Sequence, residues 1–128
     1  MLIQRGRHHE VVTSGQLALS PETGKLVEGG IASQTKRVLE SVGAILEAGG
    51  ANPGDVYKTD VVITDAGNFA EFNGAYQDWR WVQNQPVLPT RFTSVGGLLI
   101  PGSLVEVRAT AAYLAPRRTI IDLKSRRE

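Results

Sequence analysis

Cysteine is absent from this 128-residue chain. Disulfides, thiol nucleophiles and thiolate metal sites are therefore excluded. Histidine is nearly absent too: the two present, His8 and His9, are adjacent and point to opposite faces of an extended backbone. They make a poor metal pair and no pair suited to RNA cleavage, and they read as surface residues. No apolar run approaches the ~20 residues of a membrane span. Met1-Leu2-Ile3-Gln4 leads straight into charged residues rather than a leader-type apolar stretch, so a cytoplasmic location is expected. Charge of either sign is nearly balanced, with a net charge of +1. That argues against nucleic acid as a partner, and no basic face with interleaved aromatics is visible.

What is present is the material of one small globular domain, with an ordinary hydrophobic fraction of 41%. Charge is uneven at the end: residues 116–128 carry a net +3 and leave the body at −2. The division expected is a single domain over 1–115 and a basic C-terminal extension over 116–128. Leu2 to Gln4 reads as a short strand, and Val11 to Leu19 as a longer one in which Gly15 marks a bulge or a close approach. Ile31 to Ala48 is the clearest helix: Ile31, Thr35, Val38, Val42 and Ile45 recur at helical spacing, Gln34, Lys36, Arg37, Glu40 and Glu47 take the wetter side, and Gly49-Gly50 stops it. Val56 to Thr64 reads as a strand, and Phe69 to Val82 as a second helix with Phe69, Phe72, Tyr76 and Trp79 in its apolar stripe. A strand alternating from Ser103 to Leu114 closes the body. The order β-β-α-β-α-β-β gives an α+β fold, a mixed sheet with both helices on one face. The other face is left partly apolar, and oligomerisation through it is the simplest remedy.

Two charged residues stand out. Pro89 stiffens the approach to Arg91, and Glu106 follows fifteen residues later at the start of the last strand. Should their two segments pair as neighbours, both side chains would face one pocket. Arginine is well shaped to hold a small carboxylate by two parallel N–H···O bonds, and a partly dry glutamate can act as general acid or base. Taken alone, the same residues read first as surface charges or an ordinary ion pair. Asn73 lies just beyond the stripe of the second helix, either solvated or turned into a cleft.

The chain resembles the Rid (YjgF) family of reactive-intermediate enamine/imine deaminases. The resemblance rests on Thr13-Ser14-Gly15-Gln16, Glu28-Gly29-Gly30-Ile31 with Gln34-Thr35, Asp55-Val56-Tyr57-Lys58-Thr59, Phe69 to Asn73 with Tyr76, Pro89-Thr90-Arg91 and Leu104-Val105-Glu106. It implies a trimeric chorismate-mutase-like fold, a homotrimer with three clefts between subunits, and hydrolysis of small 2-imino acids or enamines to 2-keto acids and ammonia. No cofactor and no metal are implied. In this family's pattern Arg91 holds the substrate carboxylate and Glu106 positions or activates water, while Thr93, Asn73, Ser14 and Gly15 line the cleft. Phe92 after Arg91 and the placing of Pro101 look more like the branch containing the aminoacrylate peracid reductase. A pathway-specific enamine deaminase, a reductase of that kind and a non-enzymatic trimer binding small carboxylates are the alternatives.

Overall fold

The computed structural model describes residues 1–116. The expected extension 116–128 therefore lies, from residue 117 onward, outside the described residues. Among the described residues five strands form one sheet: β1 (Leu2–Arg5), β2 (His8–Val12), β3 (Val56–Ile63), β4 (Thr90–Val95) and β5 (Val105–Leu114), in the spatial order β1-β2-β5-β3-β4. Two helices, α1 (Ile31–Ala48) and α2 (Phe69–Gln77), cover one face. β1 and β2 form a hairpin across Gly6-Arg7, with Gly6 at φ +61°, in the first central position that a II′ turn reserves for glycine. β3 runs parallel to β4 and antiparallel to β5. A parallel neighbour demands a crossover, and α2 provides it between β3 and β4.

α1 has the expected bounds, and Gly50 at φ +92° carries the chain out of it. Its buried stripe packs on β5 and α2, with Val38, Val42 and Leu46 fully enclosed. Gln34 departs from expectation: it is buried, not on the wet side. Its amide nitrogen donates to the Gly102 carbonyl (2.9 Å) and its amide oxygen accepts from the Leu104 amide (2.8 Å). Both polar ends are thus satisfied, which is what makes an amide tolerable in the core.

α2 is shorter than its apolar spacing predicts, ending at Gln77 rather than Val82. Trp79 and Trp81 are both buried, and residues two apart cannot share one face of a helix. The chain therefore leaves the helix and turns, with Val82 and Gln83 both donating backbone hydrogen bonds to the Trp79 carbonyl. The strand expected over Val11–Leu19 is corrected too. Regular pairing stops at Val12, and only isolated bridges at Gln16 (to Val107) and Leu19 (to Leu26) follow. The Thr13 amide donates to the Ala109 carbonyl, and Thr13 Oγ1 accepts from the Ala109 amide. Between that anchor and Gln16 the chain arches over β5, with Gly15 at the top of the arch beside Glu106.

Candidate active site

β4 and β5 are not neighbours, because β3 lies between them. The register pairs Thr59 of β3 with Arg91 and with Ala109, whereas Val62 of β3 pairs with Ser94 and with Glu106. Side chains alternate along a strand, and paired residues share a face, so positions 59 and 62 point to opposite faces. Arg91 consequently lies on the helix-covered face and Glu106 on the open one. The condition under which both would face one pocket, pairing of their two segments as neighbours, is therefore not met, and among the described residues no ion pair joins them.

Arg91 is held by α2. The spacing Phe69, Phe72, Asn73, Tyr76 puts three rings and an amide along one side of that helix, and β4 brings the guanidinium against them. Its central carbon lies 4.6 Å from the Tyr76 ring centroid, 5.5 Å from that of Phe69 and 5.6 Å from that of Phe72. These are cation–π distances. One Nη donates to Asn73 Oδ1 at 2.8 Å. A guanidinium has five N–H donors, so most of its capacity stays open. Tyr76 is itself fixed, sharing a buried 2.9 Å hydrogen bond with Thr59 Oγ1. Burial pushes the Tyr76 phenol pKa up, against smaller downward pulls from the Thr59 hydrogen bond and the Arg91 charge. Thr93, two residues beyond Arg91 and on its face, encloses a hydroxyl that has no partner among the described residues. Asn73 thus turns inward to Arg91 rather than to solvent.

Glu106 lines a pocket of about 350 Å³ on the open face, with Gly15, Asp60, Phe92, Ser94 and Arg108 around it. A β-carbon at Gly15 would meet the Glu106 carboxyl carbon at 2.8 Å, closer than real contacts allow. Glycine is what lets the carboxylate lie against the arch. Ser14 next to it accepts a hydrogen bond from Gln16 Nε2 (3.1 Å). Arg108 is engaged with Asp60 (3.0 Å) and makes no pair with Glu106. Phe92 is 67% exposed at the rim, a large apolar ring facing outward. The predicted residues therefore fall into two groups: Arg91, Asn73 and Thr93 on the helix face, Glu106, Ser14 and Gly15 on the open face. Sequence reading missed the ring cradle of Arg91, taking Phe69, Phe72 and Tyr76 as core alone. Their shared stripe with Asn73 was the available signal. Among the described residues no group of three or more histidine, aspartate or glutamate side chains is placed to hold a metal, and no helix is long and apolar enough to cross a membrane.

Comparison with known proteins gives concordant matches. A family model described as endoribonuclease L-PSP matches residues 4–113. The 2-iminobutanoate/2-iminopropanoate deaminase of Rattus norvegicus is 35% identical over 101 residues, which are 79% of this chain and 71% of that protein. A RutC family protein of Pyrococcus abyssi is 44% identical over 69 residues, so the match spans about half of each chain (54%). The crystal structure of Escherichia coli TdcF with bound serine superposes with a TM-score of 0.74 at 30% identity, covering 88% of this chain and 85% of that one. With the family model matching nearly the whole described body, and with the mixed sheet and two helices of its solved relatives, the chain belongs to the endoribonuclease L-PSP, or YjgF/Rid, family.

Proposed function

We propose that this chain is an imine deaminase, hydrolysing small 2-imino acids to 2-keto acids and ammonia in clefts formed between copies of itself. The observation that carries the reading is Arg91: a guanidinium clamped by three rings and one amide, with most of its donors uncommitted among the described residues. That is a preorganised receptor for a carboxylate. The names of relatives at about a third identity give the substrate class. A solved relative carries bound serine, itself a small carboxylate, which supports a ligand of that class.

Because Arg91 and Glu106 sit on opposite faces of one sheet, a cleft that uses both draws Arg91 from one subunit and Glu106 from another. The open face, with its exposed Phe92, is the surface through which such copies meet, and a homotrimer closes the arrangement by symmetry. In that cleft Arg91 holds the carboxylate, supported by Asn73, and Thr93 supplies a hydroxyl beside it. Ser14 and Gly15 shape the wall next to Glu106. The imine carbon is already electrophilic, so positioning and proton transfer suffice. Glu106 takes a proton from water as its oxygen bonds to C2. The imine, protonated from solvent, thereby becomes a carbinolamine; Glu106 returns its proton to the nitrogen, the C–N bond breaks, ammonia leaves with the bonding pair, and the C2 hydroxyl gives its proton to solvent, leaving a ketone. Atoms balance as imine plus water to ketone plus ammonia, and no redox change occurs.

The test generates 2-iminopropanoate and 2-iminobutanoate in place with an amino-acid oxidase and traps them with semicarbazide. Wild-type protein is expected to suppress semicarbazone formation, and Arg91→Ala to abolish the suppression while keeping the wild-type circular dichroism. Equal suppression by Arg91→Ala would refute the role given to Arg91. No suppression by wild type would refute the substrate class.

A further inference from the structure

A second, larger groove of about 690 Å³ lies between α1 and the turns that follow α2. It shares no lining residue with either half of the candidate active site. Its walls are mainly apolar, from Leu39, Gly43 and Ala44 of α1 and from Ala75, Trp79 and Trp81. Both tryptophans of the chain are here, 9% and 1% exposed. Their indole nitrogens converge: a β-carbon at Gly43 would sit 2.8 Å from Trp81 Nε1 and 3.6 Å from Trp79 Nε1. An indole N–H can only donate, and buried ones ordinarily find an acceptor. Among the described residues neither has one. Both rings line the groove rather than a sealed void. Two donors thus stand close together at the base of an apolar groove. Glycine is disfavoured inside a helix, and here it makes room for both indole edges.

Charge decides what kind of acceptor fits. Lys36 and Arg80 line the groove against Glu40, Glu47 and Asp78, and Arg80 is already paired with Glu47 at 3.0 Å. Glu40 is likewise paired, with Arg37 at 3.2 Å, which leaves Lys36 against Asp78 and no net charge to draw an anion, so a neutral acceptor is the better fit. We propose that this groove is a binding site for a neutral, flat, apolar small molecule with a hydrogen-bond acceptor on one edge, taken by the paired indole N–H groups of Trp79 and Trp81. The site is independent of the deaminase reading.

Because the chain has two tryptophans, ¹H–¹⁵N correlation spectra of the full-length protein show two indole N–H signals, both from this groove. Titration with 1-indanone, a flat neutral ketone, is expected to move both downfield and to saturate. Indane, the same shape without the oxygen, and benzoate, an anionic acceptor, are expected to bind at least about tenfold more weakly. Ala44 is exposed on α1, so Ala44→Leu fills the groove without entering the core, and it should weaken 1-indanone about tenfold or more while leaving the backbone amide spectrum intact. Absence of saturable movement with 1-indanone overturns the site. Equal affinity for indane overturns the role of the donors, and tighter binding of benzoate overturns the ligand class.

Discussion

Arg91 earns its position from four neighbours, and among the described residues only Asn73 takes up one of its hydrogen-bond donors. A lysine there keeps the charge but loses the planar fork and its stacking on Tyr76, which lies 4.6 Å away. Arg91→Lys is therefore expected to lower kcat/KM for 2-iminopropanoate by about 10–100-fold, the value of one or two charge-assisted hydrogen bonds. Steady-state kinetics on the trapped-imine assay checks this. Tyr76 offers a second residue-scale expectation, on stability. Burial raises its pKa in the fold, so the folded state prefers the neutral phenol. The stability this preference supplies is complete below the ordinary phenol value of about 10 and is lost as pH rises beyond it. Urea unfolding between pH 8 and 11 should show wild type losing stability more steeply at the alkaline end than Tyr76→Phe. At pH 7 the same variant should be destabilised by about 1–2 kcal/mol, because Thr59 Oγ1 loses its buried partner.

Among the elements, α1 was legible in the sequence to its last residue, since eighteen residues of unbroken helical spacing end at a glycine pair. Leu46 on its buried stripe is fully enclosed, while Glu47 beside it points outward to Arg80. Leu46→Ala should cost about 2–5 kcal/mol in denaturant unfolding and Glu47→Ala less than about 1 kcal/mol. Misreadings came where a local pattern met a tertiary demand. The spacing of α2 continues past Gln77, but burying both Trp79 and Trp81 requires a turn instead. The β-rich run after Val12 cannot stay paired, because Thr13 and Gln16 bind β5 on either side of an arch that makes room for Glu106. Gln34 looks like a wet-side residue until its two backbone partners, nearly seventy positions away, are known. The candidate site was legible as residue types, in Arg91, Glu106, Asn73 and Gly15. Its geometry was not, because nothing local says that β3 inserts between β4 and β5.

That insertion has its largest consequence for the whole molecule. With Arg91 on one face of the sheet and Glu106 on the other, a single chain holds two half-sites, and the proposed reaction becomes a property of the assembly. A variant lacking the arginine and one lacking the glutamate are then defective in different halves of the cleft. Arg91→Ala and Glu106→Gln should each be inactive alone. Unfolded together in equal amounts and refolded, they should form mixed trimers in which some clefts pair an intact Arg91 with an intact Glu106. Random assembly makes that about a quarter of all clefts, so about a quarter of wild-type activity should return. Mixing the two folded variants without unfolding should recover less, in proportion to how slowly subunits exchange. A companion substitution addresses the surface itself: Phe92 is 67% exposed in the single chain, and Phe92→Asp places a charge where copies are proposed to meet. Sedimentation should show that variant shifting from trimer to monomer, with imine hydrolysis falling in parallel. Full activity in a monomeric Phe92→Asp, or no recovery in the refolded mixture, would mean that Arg91 and Glu106 do not share a cleft across subunits.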